Sequence, residues 1–418
     1  MIILILVLRS LSFGAMGLVL PLYFDSIDRS AGEWGLASGA FAFATILAEP
    51  SWGWASDRLG ATIPFVMAGL GPAILAPLFA LTGGLGALLA LQLARGSFEF
   101  ALAPSARKVL AHSLGAGRKA LGVGIFQASV SAGRGLGPLV GAWALGHWDY
   151  SGAFLASAAV SLLAAVLTLA HWARFGDPAA PARPPGAVQP ASPLAGAAEE
   201  PDGPGRTFLA IALSAVCLFA AMGAGRAFVP LLGTSVLDLD ASAVAAVLAV
   251  TGVLGGPLTI VTGNLADRWG RKPLILGGLF CAGSGLVGYA CATGYASLAV
   301  STLLLTVGFA AAVPAGVAFV SDVTPPSRQG RMIGLYGGCE NIGIMAGPVL
   351  CGFVWDAQGP SLAFAATAVV TALGLVAAAR VREEQVVQPN RSGPPAGGEF
   401  PGWPQSWRGL QAATSAPQ

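Results

Sequence analysis

Twelve long apolar stretches leave this chain few ways to fold. They cover residues 2–23, 35–54, 63–82, 86–106, 121–143, 152–172, 208–231, 242–263, 273–291, 295–319, 332–354 and 361–380. A helix needs roughly 20 mostly apolar residues to cross ~30 Å of hydrocarbon. Inside a bilayer only helices or closed barrels satisfy every backbone N–H and C=O. The stretches are continuous, not short alternating strands, so they read as helices. Only 10% of the 418 residues are charged, against about 25% in soluble domains, which excludes a soluble enzyme. The expected fold is an all-α membrane protein of twelve transmembrane helices in two pseudo-symmetric six-helix bundles. The lipid bilayer is then one partner, and with no basic run in the sequence nucleic acid is not.

The charges orient the spans. Of the 22 Lys and Arg, seventeen fall on the side that holds the N-terminus and one, Arg29, on the other. Basic residues collect on the cytoplasmic side, so both termini are expected there, in a multi-pass protein of the cell membrane. The first span carries Arg9 and no cleavage signature follows it, so it reads as a retained helix and not a signal peptide. Cys217, Cys281, Cys291, Cys339 and Cys351 lie inside spans with no metal spacing and read as buried free thiols.

A Pro-, Ala- and Gly-rich stretch at 174–206 reads as a flexible cytoplasmic linker between a first bundle, 1–173, and a second, 207–382. Residues 383–418 read as a disordered tail. The bundles repeat at a fixed shift. Gly53, Asp57, Arg58 and Gly60 recur as Gly263, Asp267, Arg268 and Gly270, all 210 residues on. Gly124, Gly133, Gly137 and Pro138 recur as Gly334, Gly343, Gly347 and Pro348 at the same distance. In the first span the shift is 209, Pro21 to Pro230, so one residue is expected to have entered or left the loop after span one or seven. Internal repeats of this kind mark secondary transporters, with substrate bound between the halves near the membrane midplane.

The loops after spans two and eight read GWASDRLGAT and GNLADRWGRK. Both resemble the G-x-x-x-D-[RK]-x-G-[RK]-[RK] signature of the major facilitator superfamily. The second copy is complete through Arg271 and Lys272. The first ends in Ala61 and Thr62. Span four carries a membrane arginine, Arg95, followed by glycine. Span five carries Gly124, Gly133, Gly137, Pro138 and Gly141, similar to a motif of the drug/proton antiporters of that family. The resemblance implies that Asp57 meets the start of span eleven near Arg331. By the repeat, Asp267 would meet the start of span five near Arg118 and Lys119. Such contacts would use the positive end of a helix to hold the cytoplasmic side shut. Gly133, Gly137 and Gly141 sit four apart on one helix face, where small residues let backbones pack closely.

Charges inside the spans carry the sharpest expectation. An ionised group at the bilayer centre costs on the order of 3 kcal/mol or more, so each needs a partner or a function. Seven lie within spans: Arg9, Glu49, Arg95, Glu99, Arg134, Arg226 and Glu340. Arg9 and Glu49 share the cytoplasmic third of adjacent spans and are expected to pair. Arg95 and Glu99 are one turn apart on one face. Arg226, near a span end, is expected to snorkel. Burial favours a neutral carboxyl and a neighbouring arginine favours a charged one, so a carboxyl between the two effects can load and release a proton. Glu99 is the first candidate for that role, Glu340 beside Asn341 the second and Glu49 the third.

The expected function is secondary active transport, with a proton-coupled exporter of small, partly apolar compounds as the first reading. An importer or facilitator of a small anion, with Arg95 and Arg134 on the anion, is the second. A receptor or scaffold that does not transport is the third. Substrate and protons are the expected partners, and the chain is expected to act as a monomer. No hydrolase, nucleotide or zinc motif is present, so neither an enzyme nor a bound metal or cofactor is expected.

Overall fold

The computed structural model describes residues 1–103, 105–106, 109, 119–175, 205–325 and 328–381. The linker at 176–204 and the tail from 382 lie outside the described residues. Among the described residues, twelve long α-helices run in chain order: α1 Ile2–Ser26, α2 Ala31–Leu59, α3 Thr62–Phe79, α4 Leu85–Glu99, α5 Lys119–His147, α6 Tyr150–Phe175, α7 Arg206–Leu231, α8 Ala241–Trp269, α9 Arg271–Ala290, α10 Tyr295–Val323, α11 Gln329–Gln358 and α12 Pro360–Ala379. They form an all-α membrane fold of two six-helix halves. Among the described residues, nine helices are apolar and long enough to span by composition alone. The other three are α2, α4 and α5, of which α4 has only 15 residues.

Span four ends earlier than its apolar run. α4 stops at Glu99, and Ala101 and Ala103 bond back three residues, to Phe98 and Phe100.

The two halves repeat the packing of their first helix on their fifth. α1 crosses α5, and α7 crosses α11. Gly133 lies against Val7, Ser10 and Leu11, while Gly343 lies against Val216, Phe219 and Ala220. Each α7 partner is 209 residues beyond its α1 counterpart. A methyl group on Gly133 would sit 2.5 Å from the Val7 carbonyl oxygen, so only glycine permits this approach.

The one-residue difference between the halves lies within a helix end and not in a loop. Asp28 and Asp238 are the described non-glycine residues with positive φ, 56° and 52°, and are 210 apart. The shift therefore changes between Pro230 and Asp238. That interval holds a π-helical turn, Leu232–Val236. The Arg29 N–H closes on the Phe24 carbonyl, five residues back, at 2.9 Å. Its counterpart, Leu239 N–H, closes on Gly233, six back, at 2.9 Å. A π turn absorbs one extra residue without breaking the helix.

The halves meet along α2 with α11 and α5 with α8. Gly35 and Gly39 let α2 lie on Met345, Pro348 and Val349. A methyl on Gly252 would fall 2.6 Å from the Gly135 Cα. Hydrogen bonds join the halves at the end that holds Ser30. Asp356 Oδ2 accepts from Ser30 Oγ at 2.6 Å and from the Gly32 N–H at 2.8 Å. Ser235 Oγ donates to Asp25 at 2.7 Å, and Trp34 Nε1 to the Ala227 carbonyl at 2.8 Å. Toward the opposite end, a side chain at Gly53, Gly124, Gly263 or Gly334 would meet nothing within 4 Å.

Candidate functional site

The site begins with one face of α4. Gln92, Arg95 and Glu99 fall at i, i+3 and i+7 and are all buried. Arg9 comes to this face from α1. Its Nη2 donates to Glu99 Oε2 at 2.5 Å, with both side chains at most 5% exposed. This is a charge-assisted pair in a water-poor interior. The expected partner, Glu49, is half-buried on α2 and forms no ion pair among the described residues. The physical reason is packing. α1 rests mainly on α5 and α6, and α2 on α4 and α11, so helices adjacent in sequence are not the ones that share an interior face.

Arg95 is likewise not bonded to Glu99. Its Nη1 donates to Gln92 Oε1 at 3.3 Å. Its guanidinium carbon lies 4.9 Å from the Phe41 ring centre and 5.5 Å from that of Phe13. Arg134, from α5, lies 4.6 Å from Phe13 and 5.3 Å from Phe100. Two guanidiniums therefore share the Phe13 ring. Each cation–π contact is worth about 0.5–2 kcal/mol and lets a cation stay buried without an acid beside it.

On α7 of the second half, Arg226 is exposed between the buried Gly225 and Ala227. Among the described residues neither Arg134 nor Arg226 donates a hydrogen bond or joins an ion pair. The three phenylalanines are site residues that the sequence patterns do not single out. The clue for Phe13 was its place one turn beyond Arg9.

Glu340 stands apart from this cluster. It is half-buried on α11, and its Oε1 is buried with no hydrogen-bond partner among the described residues. Asn341 beside it makes no hydrogen bond among them either.

The repeated loops have a backbone reason for their second glycine. Gly60 and Gly270 have φ of 81° and 94°, a region that side chains disfavour. The basic residues after Gly270 stay within the second half. Arg271 bonds Asp322 at 3.3 Å and the Ala266 carbonyl at 2.9 Å. Lys272 bonds the Val381 carbonyl at 2.7 Å. Arg58 stacks over Trp54 at 4.5 Å, Arg268 is exposed, and so is Arg331, the expected partner of Asp57. The Asp267 side chain, Arg118 and the Lys119 side chain lie outside what is described. A groove of about 360 Å³ opens beside these loops, lined by Gly263, Asn264, Arg271 and Pro314.

Of the glycine row, Gly133, Gly137 and Gly141 pack against α1, as Gly343 and Gly347 pack against α7. Pro138 and Pro348 are buried inside their helices. Gly124 and Gly334 do not join the packing: a side chain there would meet nothing within 4 Å. All five cysteines are free. Only Cys217 and Cys351 are buried, and Cys291, just past the end of α9, is exposed.

A family model described as Major Facilitator Superfamily matches residues 2–292 and 215–416. The MFS-type transporter ppzB of Metarhizium rileyi is 32% identical over 127 residues, covering 30% of this chain and 26% of that protein. The class C tetracycline resistance protein of Escherichia coli is 31% identical over 125 residues, 28% of this chain and 29% of that one. The alignments thus span under a third of either relative's length. A solved structure of a bacterial homolog to the human lysosomal transporter Spinster, inward-facing and unoccupied, matches at a TM-score of 0.76 with 15% identity, over 93% of this chain and 97% of that one.

Proposed function

The chain belongs to the major facilitator superfamily, and from that premise we propose that this transporter carries small organic anions across the membrane by alternating access. The two moving parts are residues 1–173 and 207–382. One observation carries this reading. Arg95 and Arg134 both lie over the Phe13 ring, at 5.5 and 4.6 Å, and neither joins an ion pair among the described residues. Two like charges this close in a water-poor interior repel. An anion between them turns that repulsion into attraction. The phenylalanine rings cover the guanidinium faces and leave the in-plane N–H edges for a carboxylate or phosphate.

Arg9 and Glu99 supply the proton link. Protonation of Glu99 releases Arg9 and adds a positive charge to the site, so proton and anion binding reinforce each other. Seventeen basic residues at the Gly60 end against one at the Ser30 end support a cytoplasmic Gly60 end. The form joined at its Ser30 end is then inward-open.

The test is uptake and counterflow of a labelled organic anion in proteoliposomes, with and without a pH gradient. We expect a pH gradient to drive accumulation, Arg134→Gln to lower transport by about tenfold or more, and Glu99→Gln to leave counterflow but abolish gradient-driven accumulation. Transport of a lipophilic cation in place of the anion would reject this reading. A second reading, export of partly apolar compounds by proton exchange, is favoured by the close α1–α5 glycine packing and by the name of the tetracycline resistance relative. The same vesicles assay it with the gradient reversed.

A further inference from the structure

Glu340 lies at a step between packed and open surface on α11. On the helix face that carries it, Gly337 is one turn toward the Gly60 end and Gly343 one turn toward the Ser30 end. A methyl group on Gly343 would collide with the Val216 carbonyl and Phe219 of α7. A side chain on Gly334, Gly337 or Gly338 would meet nothing within 4 Å. Tyr336, buried and one turn before Glu340, lays its hydroxyl against Gly316 of α10. Glu340 itself is half-buried, and its Oε1 is buried with no hydrogen-bond partner among the described residues.

The scaffold does not require a carboxyl there. At the shift of 210, Tyr336 and Glu340 correspond to Phe126 and Val130, which pack in an apolar cluster of the first half. Nor does a cation offset it: Glu340 joins no ion pair among the described residues. The helices packed against α11 are α2, α7, α10 and α12. α12 holds no charged or titratable residue. α7 has none between Arg206 and Cys217, and α10 none between Tyr295 and Asp322, which bonds Arg271. On α2, Glu49 is half-buried, and Asp57 and Arg58 are exposed. On α11 itself the neighbours that can titrate are Tyr336 and Cys339, whose ionised forms are negative. An ionised Glu340 is therefore tolerated only while water reaches it. Closure of the Gly60 end removes that water and puts no cation in its place, which disfavours the charged form. A protonated carboxyl is covered at far lower cost.

Resting on alternating access and on a cytoplasmic Gly60 end, but not on the kind of substrate, we infer that Glu340 is a second proton site, held by the second half, and that the cytoplasmic side closes only when Glu340 carries a proton. The proton comes from the cytoplasm. Glu340 is covered while that side is shut, so the proton returns to the cytoplasm when it reopens. Glu340 thus sets how readily the empty protein closes and adds no proton to the transport stoichiometry, unlike Glu99. Closure is favoured at low cytoplasmic pH and lost as the pH rises. A neutral side chain of the same size removes that dependence.

The test is the distance between spin labels at Ala173→Cys and Ala379→Cys, exposed at the cytoplasmic ends of α6 and α12. The full-length protein, with its five native cysteines replaced by alanine, is measured in lipid nanodiscs without substrate. From mildly alkaline to mildly acidic buffer, the fraction of molecules at the shorter distance should rise about threefold or more. Glu340→Gln should show the acidic fraction in both buffers, while Glu340→Asp and Glu99→Gln should keep the dependence. A pH dependence that survives Glu340→Gln would overturn this inference. Distances that ignore pH, in labelled protein that still exchanges a labelled organic anion, would overturn it and leave the transport reading standing. Distances that ignore pH in protein that unfolds cooperatively but exchanges no anion would overturn both. If Glu340→Gln fails to fold, Glu340→Met gives a second arm with the same expected outcome, and a retained pH dependence there would count against the inference.

Discussion

The two halves share a scaffold and differ in their chemistry. Val7, Ser10 and Leu11 meet Gly133 as Val216, Phe219 and Ala220 meet Gly343. At the same shifts, Arg9 corresponds to Leu218, Arg95 to Leu305, Glu99 to Phe309 and Arg134 to Ile344. Where the first half buries an ion pair, the second buries Leu218 and packs Phe219 on Phe309 with ring centres 5.0 Å apart. Both solutions fill the same space between helices. The apolar one stabilises the bundle with no desolvation penalty. The charged pair is therefore not needed to hold this fold together.

The strongest way to break this comparison is to give the first half the interior of the second. Arg9→Leu alone leaves Glu99 buried without its partner, which costs about 3–5 kcal/mol. We expect thermal unfolding in detergent to show a large loss of stability for that variant. Arg9→Leu combined with Glu99→Leu removes both charges and should restore most of that loss, while gradient-driven transport stays absent. A double variant less stable than either single one would show that the pair holds the bundle together, and the contrast between the halves would lose its meaning.

The scaffold half of the comparison predicts symmetry. Gly137→Val and Gly347→Val each push a branched side chain into the helix that crosses there. Overpacking of this kind costs about 1–3 kcal/mol, and the two losses should agree within about 1 kcal/mol. Gly124→Val, at a position with open space, should change the unfolding temperature little. A large loss at Gly124, or a loss at only one of the other two, would mean that the repeat is less complete than the contacts indicate.

How much of this was readable beforehand depends on the kind of interaction. Helix count and repeat follow from apolar runs and fixed shifts, which are local facts. Gly60 and Gly270 were visible because a turn residue with positive φ has few choices. The pairing of Arg9 with Glu99 was not visible, because it depends on which helices share an interior face, 90 residues apart in the chain. The same holds for Phe13, Phe41 and Phe100: in an apolar run a phenylalanine that covers a guanidinium looks like one that covers a leucine. The extra residue near span seven was legible as a shift, but its place was not, because a π turn leaves no signature in Leu232–Val236 as a string of letters.

The smallest effect concerns a place where the halves hold each other unequally. Asp356, at the end of α11, accepts from Ser30 Oγ and from the Gly32 N–H in the first turn of α2. A carboxylate there also faces the positive end of that helix. The position related to Asp356 by the repeat is Gly146, which has no side chain to do the same for α8. The clasp is thus single, and Asp356→Asn tests it without changing size. The amide keeps one acceptor oxygen and loses the charge, a change of about 0.5–1.5 kcal/mol. That shifts the balance between forms open and closed at the Ser30 end by about two- to tenfold. Spin labels at Gly84→Cys and Gly294→Cys, in a background with the five native cysteines replaced, would read it as a longer distance in a larger fraction of molecules. The reciprocal variant, Gly146→Asp, should have the opposite sign if a second clasp can form on α8. An unchanged distance distribution in Asp356→Asn would mean that the glycine contacts of α2 with α11 and α5 with α8 hold that end closed by themselves, and that the asymmetry between the halves stops at their interiors.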